Sequence, residues 1–148
     1  FVNEPLGQLI NIISKAKLDI VQLHGDEDAQ YCAKINQVVP VVKVFRVGNC
    51  LPNFAAYETA ATYYLFDTDS ALYGGTGQHF NWEIIKNQTM AKPYFLSGGI
   101  GIDEVDAVKQ ILKTDLPIYA IDINSKFETE PGVKNIKLLE QFDVLLNR

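Results

Sequence analysis

The sequence predicts an α/β fold in which helices pack on a parallel sheet. Segments of strand period and segments of helix period alternate along the chain, the strand-like ones are almost continuously apolar, and each of these stops at polar residues or glycine.

Leu6, Leu9, Ile10 and Ile13 mark one face of a first helix. Leu18 to Leu23 is a short strand, and Asp26 is placed to cap a helix running through Ile35. Val41 to Val47, rich in β-branched residues, predicts a buried strand, followed by a Gly48-Asn49 turn and a helix from about Asn53. Tyr63 to Phe66 is the next strand. A polar, glycine-rich loop, Thr68 to Phe80, comes after it, and Asn81 is placed to cap a short helix. Tyr94 to Leu96 repeats the strand, and Ile102, Val105, Val108, Ile111 and Leu112 repeat the helix. Pro117 to Ile123 is one more strand and Ile136 to Leu146 a last helix. The opening is abrupt: Phe1-Val2 has the character of a strand end running into Asn3-Glu4-Pro5.

Two architectures satisfy this order. An open, doubly wound sheet needs about this length, whereas a closed eight-stranded barrel needs roughly 200 residues or more. In either, chemistry collects at the carboxyl ends of the strands. An open sheet concentrates its ligand at one switch point, while a barrel recruits from many strands. Here successive ends are all loaded: Gln22 and His24, then Arg46, then Asp67, then Ser97-Gly98-Gly99, then Asp122 with Asn124 and Ser125. That succession favours a ring.

Composition narrows the function. The chain has 148 residues, 47% of them hydrophobic and 21% charged, which fits one folded domain spanning residues 1–148. Its net charge is -5 and its basic residues are scattered, which argues against a nucleic-acid partner. The longest apolar stretches fall far short of the ~18 to 20 residues that cross a bilayer, so no membrane span is expected. Cys32 and Cys50 have neither metal-ligand spacing nor a disulfide framework, and a reducing cytoplasm is the expected location.

Taken singly, each rim residue has an ordinary structural explanation. His24 can be a hydrogen-bonded loop histidine, Asp67 a turn aspartate, Gly98-Gly99 a plain tight turn, and Arg46 a rim residue paired with a nearby carboxylate. The Tyr73 to Gly77 loop lacks the features of a nucleotide-binding fingerprint.

Together they are more specific. VQLHGDE at 21–27, LFDT at 65–68, YGGTGQHFNW at 73–82, FLSGGI at 95–100, and DINS with EPGVKN at 122–135 resemble the phosphoribosylanthranilate isomerase family of tryptophan biosynthesis. The resemblance implies a (β/α)8 TIM barrel, present here as an incomplete barrel from the end of strand 3 through strand and helix 8. It also implies an Amadori rearrangement of a small phosphosugar substrate, with no metal or cofactor, because both steps are proton transfers. Asp67 matches the family's general acid, and Gln22, His24 and Asp122 match its substrate-facing positions. Gly98 and Gly99 match the phosphate loop, with Asn124 and Ser125 on the partner loop. The loop Thr68 to Phe80 would cover the bound substrate.

Departures from the family pattern accompany the match. The family's first strand carries a Lys-Ile-Cys-Gly motif whose cysteine is the general base, and neither Cys32 nor Cys50 stands at a matching position. The expectation is that the 148-residue chain alone shows no turnover. Ser125-Lys126-Phe127-Glu128 stands where Ser-Gly-Val-Glu is common, which implies an altered backbone or an added cation near the phosphate. His79 and Asn81 replace a common threonine and aspartate. A partial barrel also exposes sheet edges and an inner face, which predicts a homo-oligomer. Two competing readings remain: a non-catalytic phosphate-binding module of flavodoxin-like fold, with strand order 2-1-3-4-5, and a barrel such as indoleglycerol phosphate synthase. The second would require catalytic lysines and glutamates at strand ends.

Overall fold

Alternation of side chains along the strands sorts the core into two unequal layers. In a computed structural model describing residues 1–68, 82–86 and 90–147, β1 (Val21–Leu23), β2 (Val41–Val47), β3 (Tyr63–Thr68), β4 (Tyr94–Leu96) and β5 (Ile118–Ile121) form one sheet. Every pairing is parallel and the order is β1-β2-β3-β4-β5. Each crossover therefore moves the chain one strand further in the same direction. A doubly wound sheet reverses at a switch point, so the 2-1-3-4-5 alternative is excluded.

The helices are α1 (Leu6–Ala16), α2 (Ala29–Asn36), α3 (Glu83–Lys86), α4 (Val105–Leu112) and α5 (Ile136–Leu146). Leu9, Ile13, Cys32, Ile35, Val108, Ile111 and Phe142 on these helices share one buried cluster with Val41, Phe45, Tyr64, Phe66, Tyr94 and Leu96 of the strands. The opposite face of the sheet carries Val42, Val44 and Leu65, flanked by Tyr63 and Phe95, and none of the helical residues joins that cluster. Helices on one face and side chains alone on the other is the layering of a barrel wall, with the second cluster facing the barrel interior. Tyr119 stacks beside it, its ring centroid 4.6 Å from Tyr63 and 5.4 Å from Phe95.

Several boundaries differ from the sequence expectation. Asp28, not Asp26, caps α2, its carboxylate accepting from Tyr31 N at 2.7 Å. The Asp26 backbone N–H is instead taken by Asn3 Oδ1 at 2.7 Å. The helix expected from Asn53 is a single 3-10 turn, Ala55–Tyr57, which Asn53 initiates by accepting from Ala55 N. The strands expected from Leu18 and to Ile123 pair only over Val21–Leu23 and Ile118–Ile121. A hairpin between β6 (Glu128–Glu130) and β7 (Val133–Lys134) was not anticipated, although Pro131-Gly132 is a turn signal and Gly132 adopts φ 85°. Phe1 lies beside β1 without forming a strand: its terminal ammonium donates to Gln22 O at 2.7 Å and its carbonyl accepts from His24 N at 2.8 Å. The loop beyond Thr68, with His79 and the Asn81 cap, lies outside the described residues. No described helix is long and apolar enough to cross a membrane.

Candidate active site

Parallel pairing puts the carboxyl end of every strand on one rim, and the register fixes what faces what. Arg46 aligns with Asp67 and Val47 with Thr68 across β2 and β3. The β4–β5 ladder ends at Leu96 and Ile121, so Ser97 and Asp122 emerge side by side. All eight residues expected to form the site border one cavity of about 270 Å³, with Ser97 and Ile100 completing its wall.

Asp67 is at the centre of the polar groups. Its Oδ1 accepts from Thr68 N at 2.9 Å, which fixes the carboxyl plane, and its Oδ2 lies 3.5 Å from His24 Nε2. Opposite, Ser97 Oγ donates to Asp122 Oδ2 at 3.1 Å, and Ser97 itself is buried. Each of these two carboxylates is thus held by a neighbour from its own or an adjacent strand end.

The glycine pair answers to geometry. Gly98 and Gly99 have φ 94° and 68°, a region that side chains disfavour, and a Cβ on Gly98 would stand 2.3 Å from Thr68 Oγ1 and 2.9 Å from Thr68 N. The turn therefore packs against the end of β3 and directs backbone toward Asp67. Across the cavity, Asn124 is fixed by Lys134, whose ammonium donates to its carbonyl oxygen at 3.3 Å and also to its side-chain oxygen. Ser125 opens the 3-10 turn Ser125–Phe127, which Phe127 anchors in the core.

Sequence reasoning missed the support beneath His24. Glu27 and Lys43 form a buried ion pair, Nζ to Oε2 2.9 Å, and Lys43 also donates to Gly25 O at 2.7 Å. The signal was present: Lys43 interrupts an apolar strand at a position whose parity faces α2, where a charge needs a partner. Burial raises the Glu27 pKa, but the hydrogen bonds from Lys43, from Asn3 N and from its own amide, with the Lys43 charge, outweigh it and leave the pKa lowered. A second cavity of about 340 Å³ lies beyond His24, walled by this pair together with Arg46 and Tyr57. Its two buried charges are committed to each other, and the smaller cavity is the one that joins Asp67 and Asp122 to the glycine turn. Arg46 spans the rim, donating to His24 O at 3.1 Å with Asp26 at 3.9 Å.

Neither cysteine reaches the cavity. Cys32 is buried on the inner face of α2 and its thiol is pushed up to about 11, chiefly by burial, with Lys43 opposing and the charges of Glu27 and Asp28 adding to the rise. Cys50 is exposed rather than buried. In the native chain at pH 8, one thiol is expected to react rapidly with an aromatic disulfide reagent and the second only on unfolding. Two fast thiols would contradict this placement of Cys32. Among the described residues no group of three His, Cys, Asp or Glu is arranged to hold a metal ion.

Comparison with known proteins adds an independent view. Residues 1–143 match a family model described as N-(5'-phosphoribosyl)anthranilate (PRA) isomerase. An N-(5'-phosphoribosyl)anthranilate isomerase of Endomicrobium trichonymphae is 37% identical over 98% of this chain and 70% of its own length. The solved phosphoribosyl anthranilate isomerase of Thermotoga maritima superimposes with a TM-score of 0.78 at 29% identity, covering 99% of this chain and 70% of that one. Another such isomerase was solved in complex with reduced 1-(o-carboxyphenylamino)-1-deoxyribulose 5-phosphate; it has a TM-score of 0.67 and 26% identity over 99% of this chain and 69% of that one. Across curated relatives of this kind the chain spans 65 to 70% of the relative's length.

Proposed function

Because this chain belongs to the N-(5'-phosphoribosyl)anthranilate isomerase family, we propose that its rim cavity binds the phosphoribosyl amine of tryptophan biosynthesis and supplies the acid side of its Amadori rearrangement. The observation that carries the reading is the convergence of Asp67, the Gly98-Gly99 turn and Asn124-Ser125 on one cavity of about 270 Å³.

In this reading the phosphate seats between Gly98-Gly99 and Asn124-Ser125, where positive φ brings backbone N–H groups close to the anion without an intervening Cβ. Asp67 Oδ2 then faces the ring oxygen and donates the proton that opens the sugar to a Schiff base. Removal of the C2 proton by a general base gives the enolamine, which tautomerises to the aminoketose. His24 and Gln22 bound the reacting end, and Asp122, oriented by Ser97, faces the aromatic amine. The partner is a small phosphosugar. Free cysteines suit a reducing cytoplasm.

The test is a titration of the protein with inorganic phosphate and then with the reduced aminoketose phosphate, followed at backbone amides by NMR. Phosphate is expected to shift Gly98, Gly99 and Ser125, and the larger ligand to add Gln22, His24 and Asp67. Shifts confined to the Arg46 cavity would overturn the assignment.

A further inference from the structure

Two side chains behind the phosphate loops form an arrangement that the cavity's own residues do not explain. Glu104 ends the 3-10 turn Ile102–Glu104, and its Oε2 accepts from Gly101 N at 2.7 Å. Its Oε1 lies 3.2 Å from Lys126 Nζ. Lys126 belongs to the turn directly after Asn124, and that turn is anchored by Phe127, fully buried with its ring 5.0 Å from the Phe142 ring. The lysine stem passes over the Gly101 backbone, since a Cβ on Gly101 would stand 2.7 Å from Lys126 Cδ. Neither charged residue borders the cavity. The added cation expected near the phosphate is therefore directed at a carboxylate instead.

That carboxylate needs a counterion. It is held on the backbone two residues past Gly99, its side chain is only 16% exposed, and at such a site a negative charge disfavours a second anion nearby. It also satisfies the Gly101 amide, which a helix start would otherwise leave unpaired. We propose that Lys126 is a positioning residue for the phosphate site and acts through Glu104: it cancels the carboxylate's charge and ties the loop after β4 to the loop after β5. The proposal rests on the assignment of the Gly98-Gly99 cavity to phosphate. It separates Lys126 from a direct phosphate ligand, because a direct ligand would lose its contribution whatever stands at position 104.

A double-mutant cycle read by calorimetric titration with inorganic phosphate tests it, with cooperative thermal unfolding as the check that each variant folds. Lys126→Met is expected to weaken phosphate binding roughly three- to tenfold, the scale of one partly screened charge. Lys126→Arg, which keeps the cation, should bind as the parent does. Glu104→Gln preserves the acceptor for Gly101 N while removing the charge, so in the Glu104→Gln background Lys126→Met should cost little further affinity, and the double variant should recover most of what Lys126→Met alone loses. Unchanged binding by Lys126→Met would overturn the proposal, as would a loss that Glu104→Gln fails to rescue. Absence of phosphate binding by the parent protein would overturn both this and the site assignment, whereas the first two outcomes leave that assignment standing.

Discussion

Asp67→Asn is expected to lower kcat by about 10²- to 10⁴-fold in a turnover-competent form of the protein, while KM stays within about threefold. Asparagine fills the same volume and its amide oxygen still accepts from Thr68 N, which lies 2.9 Å from Asp67 Oδ1. The substitution therefore spares the geometry and removes the carboxyl group proposed as the proton donor. His24, 3.5 Å away, cannot substitute without moving, because the loop carrying it is fixed from below by Lys43 and Gly25. Steady-state fluorescence assays of the two forms measure the split. A rise in KM with kcat preserved would make Asp67 a binding group and remove it from the chemistry.

Lys43→Met is expected to destabilise the fold by about 3–5 kcal/mol, the cost of leaving a buried charge unpaired. Net stabilities of domains are ~5–15 kcal/mol, so the loss is a large share. The side chains of Lys43 and Glu27 are 4% and 2% exposed, so water screens a lone Glu27 charge poorly. Glu27 also accepts from Asn3 N at 2.8 Å, and Glu27→Gln keeps that acceptor, so the Lys43→Met/Glu27→Gln pair should recover more than half of the loss. Urea midpoints at constant slope provide the measurement, and a Lys43→Met midpoint equal to the parent's would show that the pair does not hold the loop.

The same pair gives a pH signature. The folded pKa of Glu27 is lowered, so its stabilising contribution is fully present above the ordinary carboxylate pKa and is lost as pH falls through the folded value. The parent protein should accordingly lose urea resistance in that acid window more steeply than the doubly substituted form.

How much of this was legible in advance differs from residue to residue. Buried strands announce themselves by apolar runs, so β2, β3 and β4 were placed to within about two residues, and the rim residues followed as the polar stops after them. Helix caps were less legible. Asp26 and Asp28 are equally able cap residues in isolation, and Asp28 caps because the helix begins at Ala29, which puts its carboxylate within reach of Tyr31 N. The hairpin at Glu128–Lys134 was overlooked although its Pro-Gly turn is a local signal, because strands this short carry too few residues to show a period.

Local pattern by itself determined that this chain alternates strand and helix, which residues end each strand, and, through motifs of several residues each, which family those ends resemble. It did not determine the order of strands or the charge partners. Sequential order with helices on one face was decided by packing, since period-2 alternation states that a side is buried but not against what. The ion pairs Glu27–Lys43 and Glu104–Lys126 join residues 16 and 22 positions apart, and no local propensity couples charges at such separations. Only the closing of strand upon strand brought them within reach, and for Glu27 and Lys43 low solvent access then made the pairing obligatory.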